Sequence, residues 1–112
     1  METDDLPRYD IRYTDTAIQD ILEKAEYITE CLLDTPLAMK WYARLRSEIT
    51  AALSTMPYKY PLYSGSGSCS KGIRLFLTGS DIILYSVDED KQIVYIRNAF
   101  TKGKDIAAYL TD

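Results

Sequence analysis

The chain alternates apolar and charged residues near its start and then changes to a helical spacing. Tyr9, Ile11 and Tyr13 are separated by charged residues, and this period of two predicts a short strand with one buried face. The polar and acidic residues 1–7 are expected to form a flexible N-terminus. A single domain is therefore expected over residues 8–112.

Two amphipathic stripes follow, with apolar residues three and four positions apart, and they predict two helices. The first stripe is Ile18, Ile21, Leu22, Ala25, Ile28 and Leu32, and the second is Ala38, Trp41, Leu45, Ile49, Ala52 and Leu53. Thr14 or Asp15 is expected to cap the first helix. Thr35 is expected to cap the second, with Pro36 in its first turn. The short link between the stripes predicts an antiparallel helical hairpin.

The second half of the chain predicts three strands, over 73–78, 82–87 and 93–97. Short polar turns separate these runs, which favours hairpins and a mainly antiparallel sheet. The segment 58–72 is rich in Gly, Ser and Pro and is expected to be a loop, while 105–110 is expected to form a short C-terminal helix. The predicted fold is α+β, in the order β-α-α-β-β-β, with the helical hairpin packed on the sheet.

Composition excludes several classes of function. With 112 residues, of which 46% are hydrophobic, the chain suits one globular domain. It has no histidine and only two cysteines, so imidazole catalysis and a four-ligand zinc site are excluded, and we expect no metal or cofactor. A net charge of −4 argues weakly against a surface that binds nucleic acid throughout. No secretory signal or membrane-spanning stretch is visible, so a cytoplasmic location without membrane contact is expected.

The charge is unevenly divided between the two halves. Residues 1–56 carry a net charge of −5, whereas residues 57–112 carry +1. The basic residues near the predicted sheet are Lys71, Arg74, Arg97, Lys102 and Lys104. They indicate either a binding face on the sheet or cations that solvate an uncovered sheet face.

The order and spacing of several short segments resemble the RelE/ParE toxin superfamily over roughly residues 8–110. In the first half these segments are Ile11-Arg-Tyr-Thr, Asp20-Ile-Leu, Tyr27-Ile, Ala38…Trp41…Leu45 and Met56-Pro57. In the second half they are Gly72-Ile-Arg-Leu-Phe, Ile83-Leu-Tyr-Ser-Val-Asp and Ile93-Val-Tyr-Ile-Arg, followed by Lys102 and Asp105-Ile. The resemblance implies the toxin of a bacterial type II toxin–antitoxin pair, masked by a cognate antitoxin protein.

The superfamily has two branches with different actions. RelE-like members cut mRNA in the ribosomal A site, whereas ParE-like members poison DNA gyrase and are not nucleases. This chain has Ile82 where RelE-like nucleases carry an arginine three residues before the tyrosine that corresponds to Tyr85. It has Phe100 where several nucleases place a histidine, and Arg74 matches an arginine of the ParE-like branch. The resemblance is therefore closer to a ParE-like toxin that acts by binding a protein, and not as an enzyme.

The residues expected to bind the target or the antitoxin are Lys71, Arg74, Arg97, Lys102, Lys104 and Trp41. For Trp41, a place in the core is the other interpretation. If the chain is a RelE-like endoribonuclease instead, the candidate catalytic residues are Arg74, Arg97, Lys102, Lys104 and Tyr109. Arg74 and Arg97 are expected near the centre of the solvent-facing side of the sheet. A diverged non-toxic member also stays open, as does the assembly, either a homodimer or a hetero-oligomer with the antitoxin.

Overall fold

A computed structural model describes residues 8–63 and 72–101, which form two helices and a four-stranded sheet. The elements are β1 (Asp10–Tyr13), α1 (Asp15–Glu30), α2 (Thr35–Leu53), β2 (Arg74–Thr78), β3 (Asp81–Asp88) and β4 (Ile93–Thr101). Their order confirms the predicted α+β fold. The expected N-terminus at 1–7 and the expected helix at 105–110 lie outside the described residues. No helix within the described ranges has the length and apolar character needed to cross a membrane.

The sheet is mixed, with the strand order β1-β4-β3-β2. The β2–β3 and β3–β4 pairs are antiparallel, as predicted, whereas β1 runs parallel to β4. The parallel pair forms because the helical hairpin intervenes between β1 and the rest of the sheet, which gives the chain room to cross over. Leu84 pairs with Asn98 but Tyr85 pairs with Ile96, so Arg97 is the extra residue of a β-bulge.

Side-chain caps fix the start of both helices. The Thr14 hydroxyl accepts from the Ala17 amide at 3.1 Å and donates to the Ile96 carbonyl at 3.1 Å, so it ties α1 to β4. Asp34, and not the predicted Thr35, caps α2, because its carboxylate accepts from the Leu37 amide at 2.9 Å.

The line of buried residues on α1 is rotated from the predicted stripe. Because Thr14 holds the start of α1 against β4, the small side chain of Ala17 is buried. Ile18 points about 100° away from Ala17 around the helix axis and is exposed. Leu22, one turn further on, is exposed on the same side of the helix. The main core lies between the hairpin and one face of the sheet, and its largest buried side chains include Trp41, Leu45, Ile49, Leu53, Phe76, Tyr85 and Ile96.

A second, smaller apolar cluster contains residues of the opposite face of the sheet. Leu84 and Phe100, whose side chains alternate with those in the main core, are buried there together with Ile73. Ile82 is partly buried against them, as are Tyr63 and Leu75. This face of the sheet was expected to be exposed and basic. Near the end of β4 it instead carries packed apolar side chains.

Candidate functional site

The face of the sheet away from the helices, here called the open face, carries Arg97 next to the β3–β4 turn. Arg97 is exposed, and no described residue forms an ion pair with its guanidinium. It lines a shallow depression of about 450 Å³ with Ser86, Tyr95 and the acidic turn residues 88–90. A depression lined by one guanidinium and three carboxylates suits a protein partner of mixed charge better than a phosphate backbone.

Arg74 lies elsewhere, and its expected position near the centre of the solvent-facing side was wrong. It pairs with Tyr85, whose side chain is in the main core, so it belongs to the helix-facing side of the edge strand β2. Its guanidinium donates to the Tyr60 carbonyl at 2.6 Å and lies 5.1 Å from the centre of the Tyr58 ring. Arg74 therefore braces the segment that follows α2, and the structure does not bring it together with Arg97.

The two arginines are expected to differ in their contribution to stability. Replacing Arg74 with alanine should lower the free energy of unfolding by about 1–2 kcal/mol, because a hydrogen bond from a charged donor and a cation–π contact are lost. Replacing Arg97 should change it by less than about 0.5 kcal/mol, since no described partner is lost. Urea unfolding of both variants measures the difference, and equal losses would contradict the bracing role of Arg74.

Three tyrosine hydroxyls hold the same region together. Tyr85 donates to the Pro57 carbonyl at 2.6 Å, and Tyr9 and Tyr58 each donate to the Glu89 carboxylate at 2.9 Å. Burial raises the pKa of Tyr85, the Glu89 hydrogen bond raises the pKa of Tyr9, and burial followed by Glu89 raises that of Tyr58. All three hydroxyls therefore stay protonated at neutral pH, which suits them to structural hydrogen bonds and not to proton abstraction.

Trp41 is a core residue, with 8% of its surface exposed. Its indole donates to the Asp81 carboxylate at 2.8 Å, and Asp81 is itself only 2% exposed. Lys24 of α1 lies 2.5 Å from the same carboxylate, and Arg44 of α2 lies 3.5 Å from it. Asp81 thus joins both helices to the start of β3, and the buried position of Trp41 leaves only a small part of its surface accessible to a partner.

The β2–β3 turn is held against α2 beside this cluster. Gly79 has a φ of 59°, and a Cβ atom there would lie 3.1 Å from the Arg44 guanidinium. Thr78 donates to Glu48, which also pairs with Arg44 at 3.0 Å. Sequence reasoning missed Asp81, although its spacing of two and four residues from Ile83 and Tyr85 places it on the inward side of β3.

The two positions at which the sequence resemblance expects nuclease residues are cross-strand neighbours. Ile82 of β3 is the cross-strand partner of Phe100 of β4, and both belong to the second apolar cluster. Phe100 is 6% exposed and Leu84 is fully buried beside it. Among the described residues, no three His, Cys, Asp or Glu side chains are grouped so that they could hold a metal ion.

Four of the predicted site residues cannot be placed. Lys71, Lys102, Lys104 and Tyr109 lie outside the described residues. Their roles in binding or catalysis stay predictions, as do the binding roles expected of Arg74, Arg97 and Trp41.

No family model matches the chain, and a comparison with curated proteins finds no match. Solved structures do match. The chain is similar to one from the toxin–antitoxin complex RelBE2 of Mycobacterium tuberculosis, with 18% identity and a TM-score of 0.63, covering 88% of this chain and 95% of that one. It is also similar to one from the chromosomal ParDE TA system of P. aeruginosa, with 14% identity and a TM-score of 0.63, covering 84% and 96%. The chain therefore has the RelE/ParE fold, which confirms the sequence resemblance at the level of structure.

Proposed function

We propose that the chain is the toxin of a toxin–antitoxin pair and that a cognate antitoxin protein holds it inactive in the cytoplasm. The similarity to chains of two toxin–antitoxin assemblies supports this, because it covers more than four-fifths of the chain in both cases. The guanidinium of Arg97 on the open face, with which no described residue forms an ion pair, offers a charge-assisted hydrogen bond to a carboxylate of the antitoxin.

The toxin acts by binding a protein target, such as DNA gyrase, and not by cutting RNA. One observation carries this choice: Ile82 and Phe100 meet in an apolar cluster where the resemblance places the charge and the proton donor of a nuclease. RNA cleavage needs positive charge at the phosphate and groups that transfer protons. An apolar contact supplies neither.

Inducing the protein in bacteria tests the proposal. We expect growth arrest with gyrase-linked DNA damage, and relief of both when a short reading frame beside the gene is expressed as antitoxin. Arrest without DNA damage would assign a target other than gyrase. Normal growth would contradict the toxin assignment and favour a diverged member that has lost toxicity.

A further inference from the structure

The end of the helical hairpin exposes a group of large apolar side chains, here called the hairpin tip. Tyr27 lies near the end of α1, Leu32 and Leu33 form the link, and Leu37 lies in the first turn of α2. Each of the four is exposed, although they lie within eleven consecutive residues. Clustered exposed apolar residues of this kind mark interaction sites, whereas scattered ones are ordinary.

Leu33 is unfavourable for folding in two ways. Its φ is 55°, in the left-handed region where a Cβ atom is strained, and glycine or asparagine would adopt that conformation at lower cost. Its side chain is also 84% exposed, so it gains almost nothing from packing within the chain. A strained backbone position with an outward apolar side chain points to a contact outside the chain.

The surroundings of the hairpin tip are acidic. Glu23, Glu26 and Glu30 are exposed along the last two turns of α1, and no described cation forms an ion pair with them. Lys40 is the exposed cation on the facing part of α2. A partner that covers the tip therefore meets a predominantly negative rim.

We propose that the hairpin tip binds a basic amphipathic helix of the protein target. This inference rests on the proposed function, because it requires that the toxin acts on a protein. Leucine or aromatic side chains of that helix would cover Leu32, Leu33 and Leu37, while its lysines or arginines would pair with the acidic rim. Side chains at positions i, i+3, i+4 and i+7 of a helix present such a set of apolar anchors on one face. A second copy of this chain would bring like charges together, and anionic lipid would be repelled in the same way.

A direct binding experiment uses an 18-residue peptide of leucine and lysine with helical spacing, and a matched peptide of leucine and glutamate. We expect fluorescence anisotropy to show binding of the lysine peptide and at least tenfold weaker binding of the glutamate peptide. Leu33→Asp should weaken binding of the lysine peptide by about tenfold or more, because it removes the central anchor. Met56→Asp is the control, since Met56 is also exposed, at 59%, but lies beyond the opposite end of α2.

Leu33→Gly separates binding from stability. Its thermal midpoint should equal or exceed that of the wild type, because the strain is relieved, while its affinity for the lysine peptide falls. Equal binding by the wild type, Leu33→Asp and Met56→Asp would overturn the proposal. So would equal affinity for the two peptides.

Growth assays distinguish this inference from the proposed function. We expect the wild type and Met56→Asp to arrest growth, and Leu33→Asp to be folded, to bind antitoxin and to be non-toxic. Full toxicity of Leu33→Asp would overturn the role of the hairpin tip and leave the toxin assignment intact. A harmless wild type would overturn the proposed function, whereas peptide binding would still decide what the tip recognises.

Discussion

Replacing Asp81 with alanine is expected to lower the free energy of unfolding by about 3 kcal/mol. Removing one partner of a buried ion pair leaves the others desolvated without compensation, which typically costs about 3–5 kcal/mol. Lys24 and Arg44 keep partial access to water, so the lower end of that range applies. The same substitution also leaves the buried indole of Trp41 without its acceptor.

A matched control separates the ion pairs from the indole hydrogen bond. Trp41→Phe keeps an aromatic ring in the core but removes the donor to Asp81, and we expect it to cost less than Asp81→Ala. Urea unfolding followed by circular dichroism measures both variants. A loss below about 1 kcal/mol for Asp81→Ala would show that this cluster does not hold the helices to β3.

Replacing Phe100 with alanine is expected to cost about 3–4 kcal/mol, as for other phenylalanines removed from an apolar core. Phe100 is 6% exposed and is packed in the cluster with Leu84 and Ile73, so its removal opens a cavity. Residues of a polar active site respond differently, because their removal often leaves stability unchanged or improved. A large loss of stability on replacing Phe100 therefore indicates that this residue supports the fold and does not serve catalysis.

Ile82→Ala is the control for Phe100. Ile82 is only partly buried on the same cluster and is expected to lose less, about 1–2 kcal/mol. If Phe100→Ala unfolds at the same urea concentration as the wild type, the apolar cluster is not a packed unit. Packing of Ile82 against Phe100 would then no longer exclude nuclease chemistry at these two positions.

Hydrophobic periodicity was enough to predict the elements and their order, because strands and helices bury residues at different spacings. It did not decide which neighbouring apolar residues are buried. The rotation of α1 depends on the bond from Thr14 to β4, and this long-range contact buries Ala17 while Ile18 stays exposed. The parallel pairing of β1 with β4 likewise depends on contacts between residues far apart in the sequence, and the lengths of the turns between strands do not predict it.

The candidate site was predicted less completely than the fold. Charge counting singled out Arg74 and Arg97 together, but strand register and the β-bulge place them on opposite faces of the sheet. The absence of a charge at Ile82 and of a histidine at Phe100 was evident from the sequence. That these two residues contact each other in a packed cluster required the pairing of β3 with β4.

Mapping the 5′ ends of cellular mRNA after induction tests the proposal that the chain binds a protein target and does not cut RNA. We expect growth arrest with the same 5′ ends as in uninduced cells, because the apolar side chains of Ile82 and Phe100 occupy the positions where the resemblance places a nuclease's charge and proton donor. Cuts phased with codons would contradict the claim. If those cuts disappeared when Lys102 and Lys104 were replaced with alanine, the two lysines would be shown to take part in RNA cleavage.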